Sequence, residues 1–501
     1  MILELIIILL YTLCLSVLLL FAITQVILFY KFLGSRYELI SNRRSPYTLR
    51  DNLPMVTVQL PIYNEQNVVH TLIEQVAQLS YPKDRLEIQV LDDSTDNTTS
   101  IIQVLVAKLR SQGLLIVHRH RTHRKGFKAG ALKEGLKEAK GEFIAIFDAD
   151  FLPQSDWLLR TMPYFSESKI GIVQTRWGHS NRNHSILTRV QAFALDLHFS
   201  LEQMGRQGLG VFMNFNGTAG IWRKSCILEA GNWSGNTLTE DLDLSYRAQL
   251  KGWRMTYRPD IITPAELPQT VSAARSQQFR WNKGGAQNFK QLWRRLWKVK
   301  KLSLKEKIFG TAHLFSSSLF FLVLVLILLS IPLLWIKNRH PEWTYIFYLL
   351  QSFGVTTLLL LWAYTGSYKM INSDCNRSWA AAVFDFIFFF TLAIGLSAKN
   401  AVAVIQGHLG IVTPFVRTPK INAKALKTGH KTPFSRVNYA HRGVSFAVVL
   451  EFLLMVYAVF GIFVATRLGD QGDYGLTPFH MLCVLGFGYL FIKGIFEGLK
   501  H

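Results

Sequence analysis

The chain has 501 residues, half of them apolar, with 55 Lys and Arg against 33 Asp and Glu for a net charge of +22. The basic excess does not point to nucleic acid: no zinc spacing or RNA-binding signature accompanies it, and it clusters beside apolar runs, as in "KVKKLSLKEK" and "FVRTPKINAKALKTGHK". The cysteines, Cys14, Cys226, Cys375 and Cys483, lie far apart without a CxxC, which argues against a zinc site or a disulfide framework and suits small buried hydrophobes.

Apolar runs crowd both ends while most carboxylates lie in the middle, the pattern of a soluble domain held between membrane segments. Residues Ile2 to Phe29 form a long apolar run without the basic start or small-residue cleavage site of a signal peptide. Residues 1–33 are therefore expected to anchor the chain. Lys31, Arg36, Arg43 and Arg44 follow, which places the N-terminus outside and the middle of the chain in the cytoplasm.

From Pro54 the pattern alternates. "MVTVQL", "LEIQVLDD", "LLIVHR" and "EFIAIFDAD" have strand character, and the stretches between them repeat their apolar residues at helical spacing. Strand-helix alternation with short links predicts a mostly parallel α/β sheet covered on both faces, with ligands beyond the carboxyl ends of its strands. Polar residues collect there: Pro61 to Glu65 after the first strand, Asp92-Asp93-Ser94 after the second, Asp148-Ala149-Asp150 after the fourth. An Asp or Ser at such a place commonly caps the next helix. Acid delivered from several strands to one rim, including a D-x-D, has a second use. Two carboxylates near a strand end can share one Mg²⁺ or Mn²⁺, which completes its shell with water and a diphosphate.

Arg124, Lys125 and Lys128 precede a helix whose N-terminus favours anions, though a solvated basic loop would look alike. His118, His120 and His123 are read as polar surface. In "TLTEDLDLSYRAQLKGW" Glu240 and Asp241 open an amphipathic helix; they either complement its dipole or supply a general base for an acceptor hydroxyl. "QFRWNKGG" then stands just before a basic, aromatic helix with Trp293, Arg294, Arg295 and Trp297, suited to the inner leaflet surface.

Good spans follow near Leu314–Ile336, Trp343–Tyr364, Val444–Thr466 and Pro478–Phe496. Ala380–Ile405 is apolar but holds Asp385, Lys399 and Asn400. If it crossed, the loop at 404–442, with Arg417, Lys420, Lys424, Lys427, Lys431, Arg436 and Arg442, would fall outside against the charge rule. It is expected to lie along the inner interface or to re-enter.

The set Asp92-Asp93, Asp148-x-Asp150, Thr239-Glu240-Asp241 and Gln277-x-x-Arg280-Trp281, in this order, resembles the membrane-bound family 2 glycosyltransferases, the cellulose, mannan, hyaluronan and chitin synthases. "FNGTAGIWR" and "AELP" add to the likeness, which is nearest to the cellulose-synthase-like A/C branch linked to glucomannan and xyloglucan backbones. The resemblance implies a GT-A domain at about 50–300 with an interfacial helix at its end, and a transmembrane domain at 301–501. It implies donor contacts at Pro61, Tyr63, Glu65, Asp92, Asp93, Lys128 and Asp148, and a metal, Mg²⁺ or Mn²⁺, on Asp148 and Asp150. Catalysis falls to Asp241 as base beside Glu240. Gln277, Arg280 and Trp281 would line the acceptor and diphosphate site. "FVRTPK" resembles a gating loop F-x-V-T-x-K, with Phe415, Arg417, Thr418 and Lys420 as its candidates, although Arg417 and Pro419 depart from the pattern.

The expected activity is inverting, processive transfer of a hexose from UDP-glucose or GDP-mannose to a β-linked polysaccharide, coupled to export through a plasma or inner cell membrane. The alternatives are single-sugar transfer to a lipid such as ceramide or a polyprenyl phosphate, and a non-catalytic transporter or scaffold. The expected partners are a nucleotide-sugar donor, a polysaccharide or glycolipid acceptor and membrane lipids.

Overall fold

The alternation that begins at residue 54 builds one sheet. Its strands are β1 (Val56–Ile62), β2 (Leu86–Asp92), β3 (Leu115–His120), β4 (Phe143–Ile146), β5 (Ile170–His179), β6 (Gly220–Arg223) and β7 (Arg254–Ala265), in the order β3-β2-β1-β4-β6-β5-β7. The structure is a computed structural model describing residues 1–41, 53–371, 378–413, 446–468 and 473–499. The first four strands pair in parallel, as expected; β6 runs antiparallel to both its neighbours, so the sheet is mixed.

The alternation in β1 does not mark a solvent face. Val56, Val58 and Leu60 are buried on one side, and Thr57 and Gln59 are buried on the other. Their donors find partners across the strand pair: Thr57 Oγ1 donates to Glu87 Oε2 at 2.6 Å, and Gln59 Nε2 to Gln89 Oε1 at 3.0 Å. Burial of these donors is tolerable because the hydrogen bonds they lose to water are replaced. Helices cover this sheet, and Trp157, Trp222 and Trp233 are wholly enclosed.

Strand order fixes where a ligand goes. Parallel β1 lies between β2 and β4, so the loops after these three strands open at one edge. The loops after β1 and β2 also brace each other. Asn64 adopts a left-handed backbone (φ 55°), its amide donates to Ser94 Oγ at 2.9 Å, and its Oδ1 accepts from the Thr95 amide at 2.8 Å. Asn tolerates that conformation better than most residues.

Among the described residues, six helical segments are long and apolar enough to cross a membrane: Ile2–Ser35, Leu304–Arg339, Pro341–Ile371, Trp379–Leu409, Phe446–Arg467 and Tyr474–Gly498. The first belongs to a helix that runs on to Ser41, past the expected end of the anchor. Trp379–Leu409, expected along the interface or re-entrant, is one unbroken helix of 31 residues. Its contacts with the sheet domain occur at both ends. Arg189 Nε meets Asp385 Oδ1 at 2.9 Å near the start, and Lys283 Nζ donates to Gln406 Oε1 at 3.2 Å near the end.

The largest departure from expectation is the helix Val271–Lys298. "QFRWNKGG" does not precede the basic aromatic helix; both belong to one continuous element of 28 residues. Two adjacent glycines weaken a helix by about 1 kcal/mol each relative to Ala, which is why a boundary is expected there. Close packing explains them. A Cβ on Gly284 would stand 2.5 Å from Thr239 Oγ1, and one on Gly285 would stand 2.2 Å from Ser317 Oγ. The start of the helix is fastened to the C-terminal helices. Glu497 accepts from the Val271 and Ser272 amides at 2.7 and 2.9 Å, and buried Arg275 pairs with buried Glu451.

Candidate active site

Beyond the carboxyl edge of β1, β2 and β4 lies a cavity of about 360 Å³. Its wall carries Pro61, Tyr63, Glu65, Asp93, Lys128, Asp148, Asp150, Glu240, Asp241, Gln277, Arg280 and Trp281, so residues from six separate stretches of the chain converge. Asp92, expected among the donor contacts, does not line it. The physical reason is the strand alternation: Asp92 and Asp93 point to opposite sides. Asp92 Oδ2 accepts from Thr99 Oγ1 at 2.8 Å and meets His118 Nε2 at 3.0 Å and His120 Nδ1 at 3.1 Å, while Oδ1 accepts from the Ser94 amide. Burial alone would raise its pKa, but the hydrogen bonds from His118, Ser94 and Thr99 hold it well below the usual carboxylate range. His118 and His120 are thus partners of a buried acid rather than plain surface. Among the described residues these three also form a group whose ligand atoms lie within 4.8 Å of one another.

Asp93 is gripped by a side chain that the motifs did not single out. Arg121 donates Nε to Oδ1 at 2.7 Å and Nη2 to Oδ2 at 2.6 Å, a bidentate pair. Arg124 lies with its guanidinium 3.3 Å from the ring centroid of Tyr63 and its Nε 3.7 Å from Asp93. A flat cationic and aromatic surface beside a carboxylate suits a nucleobase.

At the other end Lys128 Nζ pairs with Asp148 and donates to the Gly217 carbonyl at 2.9 Å. The Asp148 amide donates to Thr218 Oγ1 at 2.8 Å, so the stretch "FNGTAG" sets the floor of the site. Gly217 is required by both backbone and space: its φ is +82°, and a Cβ would stand 2.9 Å from Asp241 Oδ2. Asp150 is mostly buried, and its Oδ2 accepts from the Glu266 amide at 3.3 Å. Two carboxylates on one wall, with Lys128 already drawn to one of them, are a donor set that fits a hard divalent cation.

Glu240 and Asp241 open the helix Glu240–Leu250, where a dipole would ordinarily favour ionised acids. Here burial pushes both upward. For Asp241 the neighbouring Glu240 charge pushes further, and Lys128 opposes it without prevailing. A carboxyl raised in this way is a stronger base than a free aspartate. The Val271–Lys298 helix locks the residue before them. Asn288 Nδ2 donates to Thr239 O at 3.0 Å and Oγ1 at 2.8 Å, and Gln287 Oε1 accepts from the Leu238 amide at 2.9 Å. Gln277, Arg280 and Trp281 lie on the same helix. Phe415, Arg417, Thr418 and Lys420 lie outside the described residues.

On the other side of Asp241 and Trp281 lies a second cavity, also about 360 Å³. Trp177, Asn216, Thr239, Asp241, Gln277 and Trp281 line both. A third, of about 710 Å³ and mainly apolar, with Lys337 and Asp473 also on its wall, shares Phe320 and Ala393 with the second and lies between the long helices.

Residues 54–284 match the family model described as "Glycosyltransferase like family 2". This segment is a family 2 glycosyltransferase domain, with a GT-A-like mixed sheet. The glycosyltransferase domain has plant relatives. A probable glucomannan 4-beta-mannosyltransferase 11 of Oryza sativa subsp. japonica is 46% identical over 260 residues, 51% of this chain and 46% of that one. Glucomannan 4-beta-mannosyltransferase 2 of Arabidopsis thaliana is 41% identical over 292 residues, 57% of this chain and 55% of its own. The chain thus spans about half the length of the curated relatives it matches. A mannosyltransferase from Pyrobaculum calidifontis, solved with GDP-Man and Mn2+, is 18% identical with a TM-score of 0.47, covering 78% of this chain and 99% of that one.

Proposed function

We propose that the chain is an inverting hexosyltransferase that extends a β-linked polysaccharide from a nucleotide sugar at the inner face of a membrane. One observation carries this reading: Asp241 lines both the donor cavity and the cavity behind it. A donor entering from one side and an acceptor from the other would meet at its carboxylate. The acceptor hydroxyl gives its proton to Asp241, its oxygen bonds to the anomeric carbon, and the bond to the diphosphate breaks on the opposite face. With one base and no protein nucleophile the configuration inverts, so an α-linked donor yields a β-linkage.

Arg280 and Lys128 line the cavity and would meet the diphosphate oxygens. Asp148 and Asp150 would hold Mg²⁺ or Mn²⁺, which supplies charge neutralisation for the departing nucleoside diphosphate. Tyr63, Glu65 and Asp93 face the nucleoside end of the cavity. The names of the plant relatives favour mannose as the sugar, and so GDP-mannose over UDP-glucose.

The succession of cavities that share Phe320 and Ala393 on their walls supports processive synthesis coupled to export. The apolar lining of the third cavity favours the second reading, transfer of one sugar to a lipid acceptor. Purified full-length protein given GDP-mannose and UDP-glucose with a chelator, Mg²⁺ or Mn²⁺ tests both. Metal-dependent product of many sugars supports the polymerase; a single addition to lipid supports the alternative. No transfer from any nucleotide sugar rejects the enzyme.

A further inference from the structure

Strand β3 lies at the edge of the sheet and ends in His118-Arg119-His120. Strand alternation puts the two histidines on one face. In the parallel pairing of β2 with β3, His120 stands beside Asp92 and His118 beside Val90. Both rings reach one carboxylate oxygen: Asp92 Oδ2 lies 3.0 Å from His118 Nε2 and 3.1 Å from His120 Nδ1. Cysteine takes no part in this group. Its pattern is an H-x-H on a strand with an acid 26 residues before the first histidine.

That oxygen is crowded. Thr99 Oγ1 also donates to it at 2.8 Å, so three groups converge on an atom with two lone pairs, while Oδ1 accepts from the Ser94 amide at 2.8 Å. Hydrogen bonds account for two of the three neighbours and leave one in excess. The spacing also has the dimensions of a metal site. Zn²⁺ held at about 2.0–2.2 Å by imidazole nitrogen and carboxylate oxygen keeps neighbouring ligand atoms about 3.3 Å apart in a tetrahedron. The observed separations of 3.0 and 3.1 Å are close to that, and all three ligand atoms lie within 4.8 Å of one another. The Ser94 and Thr99 bonds fix the carboxylate plane, as outer partners of metal ligands do. The Asp92 side chain is wholly buried, whereas His118 is 12% and His120 36% exposed, so water reaches the outer side of the group. Two imidazoles with one carboxylate suit Zn²⁺ far better than Mg²⁺, which prefers oxygen alone.

We propose that Asp92, His118 and His120 bind one Zn²⁺, with water as the fourth ligand, at a site separate from Asp148 and Asp150. His118 binds through Nε2 and His120 through Nδ1, both rings neutral, and Asp92 binds through Oδ2. The ion would clamp β3 to β2 at the ends of both strands. The residue after each of two ligands faces the other way: Asp93 follows Asp92, and Arg121 follows His120. These two form the bidentate pair at the wall of the donor cavity, and the Arg121 amide donates to Asp92 O at 2.8 Å. Zn²⁺ thus braces that pair from behind. The site goes beyond the proposed function and does not depend on it.

The test is metal binding without turnover. Full-length protein in detergent, free of any histidine tag and stripped with a chelator, is titrated with Co²⁺ as a visible stand-in for Zn²⁺. Excess Mg²⁺ is present to compete for sites made of oxygen alone. One equivalent is expected to bind with the intense visible absorption of four-coordinate Co²⁺ and to be displaced by Zn²⁺. His118→Gln and His120→Gln are each expected to weaken binding about a hundredfold or more, since loss of an outer partner alone costs about 10–100-fold. His123→Gln, in the exposed loop, should bind as the wild type does. Zn²⁺ should raise the thermal unfolding midpoint of the wild type and leave that of His118→Gln in place. If His118→Gln does not fold, His120→Gln and the wild-type spectrum decide. Absence of the four-coordinate signal in the wild type overturns the site. So does a signal that persists at wild-type affinity in the histidine variants that fold, because the ion then sits on other ligands. Zn²⁺ held through both histidines in a protein that transfers no sugar would uphold the site and count only against the proposed function.

Discussion

Asp241 is asked to be both charged and hard to charge. Burial and the adjacent Glu240 raise its pKa, while Lys128 lowers it, and the net shift is upward. The sign for activity follows. As the proposed base, Asp241 would work as the anion, so turnover is expected to fall as pH drops through the raised pKa, with the acid limb of kcat/KM above the ordinary carboxylate range. Glu240→Gln removes a neighbouring negative charge. The limb should then move to lower pH, which a pH–rate profile of both proteins measures; an unmoved limb would assign the titration to another group. Gly217→Ala brings a Cβ to 2.9 Å from Asp241 Oδ2 at a positive φ. Displacement of a reacting group by about 1 Å costs on the order of a hundredfold, so kcat should fall to about that extent while nucleotide affinity holds.

At the scale of elements the Val271–Lys298 helix is the part of the site that integrates the rest. It carries Gln277, Arg280 and Trp281, holds Thr239 through Asn288, and is fixed at its start by Glu497 and Glu451. Asn288→Ala should lower kcat about tenfold or more with little change in donor KM, because it frees the stretch that positions Asp241 without touching the nucleotide. Steady-state kinetics with varied donor checks it. Glu451→Ala leaves buried Arg275 without its counter-charge. Loss of one partner of a buried pair costs about 3–5 kcal/mol, so the midpoint of thermal unfolding should drop by several degrees.

These elements also show what a sequence can and cannot disclose. The period-2 and helical runs in 54–150 were readable because local pattern and tertiary structure agree there. The D-x-D and the Thr-Glu-Asp run were readable because several acids on one rim have few structural uses. Asp92 was misplaced since adjacent strand residues face opposite ways, and the motif alone does not say which one faces the ligand. Arg121 and Asn288 were missed because a lone Arg in a basic loop, or an Asn in a helix, carries no local signal of a partner 28 or 49 positions away. Gly284 looked like a helix boundary; its reason, contact with Thr239, is visible only in three dimensions.

For the whole molecule, the candidate site lies beside cavities that continue between helices long and apolar enough to cross a membrane. We propose that Trp379–Leu409 lies along the inner surface, because Asp385 near one end and Gln406 near the other both reach the sheet domain. In a background without the native cysteines, Val412→Cys should react with a membrane-impermeant maleimide only from the inner face, and Tyr345→Cys only from the outer; both side chains are strongly exposed. Labelling of both from one side would reject this topology.

The most direct test of the account is the product formed by wild type and Asp241→Asn from GDP-mannose and a divalent cation, with the anomeric configuration read by NMR. The account predicts a β-linked mannose product from the wild type and, from the variant, a rate lower by about a hundredfold to ten-thousandfold with GDP-mannose still bound. An α-linkage, or turnover retained by the variant, would contradict it.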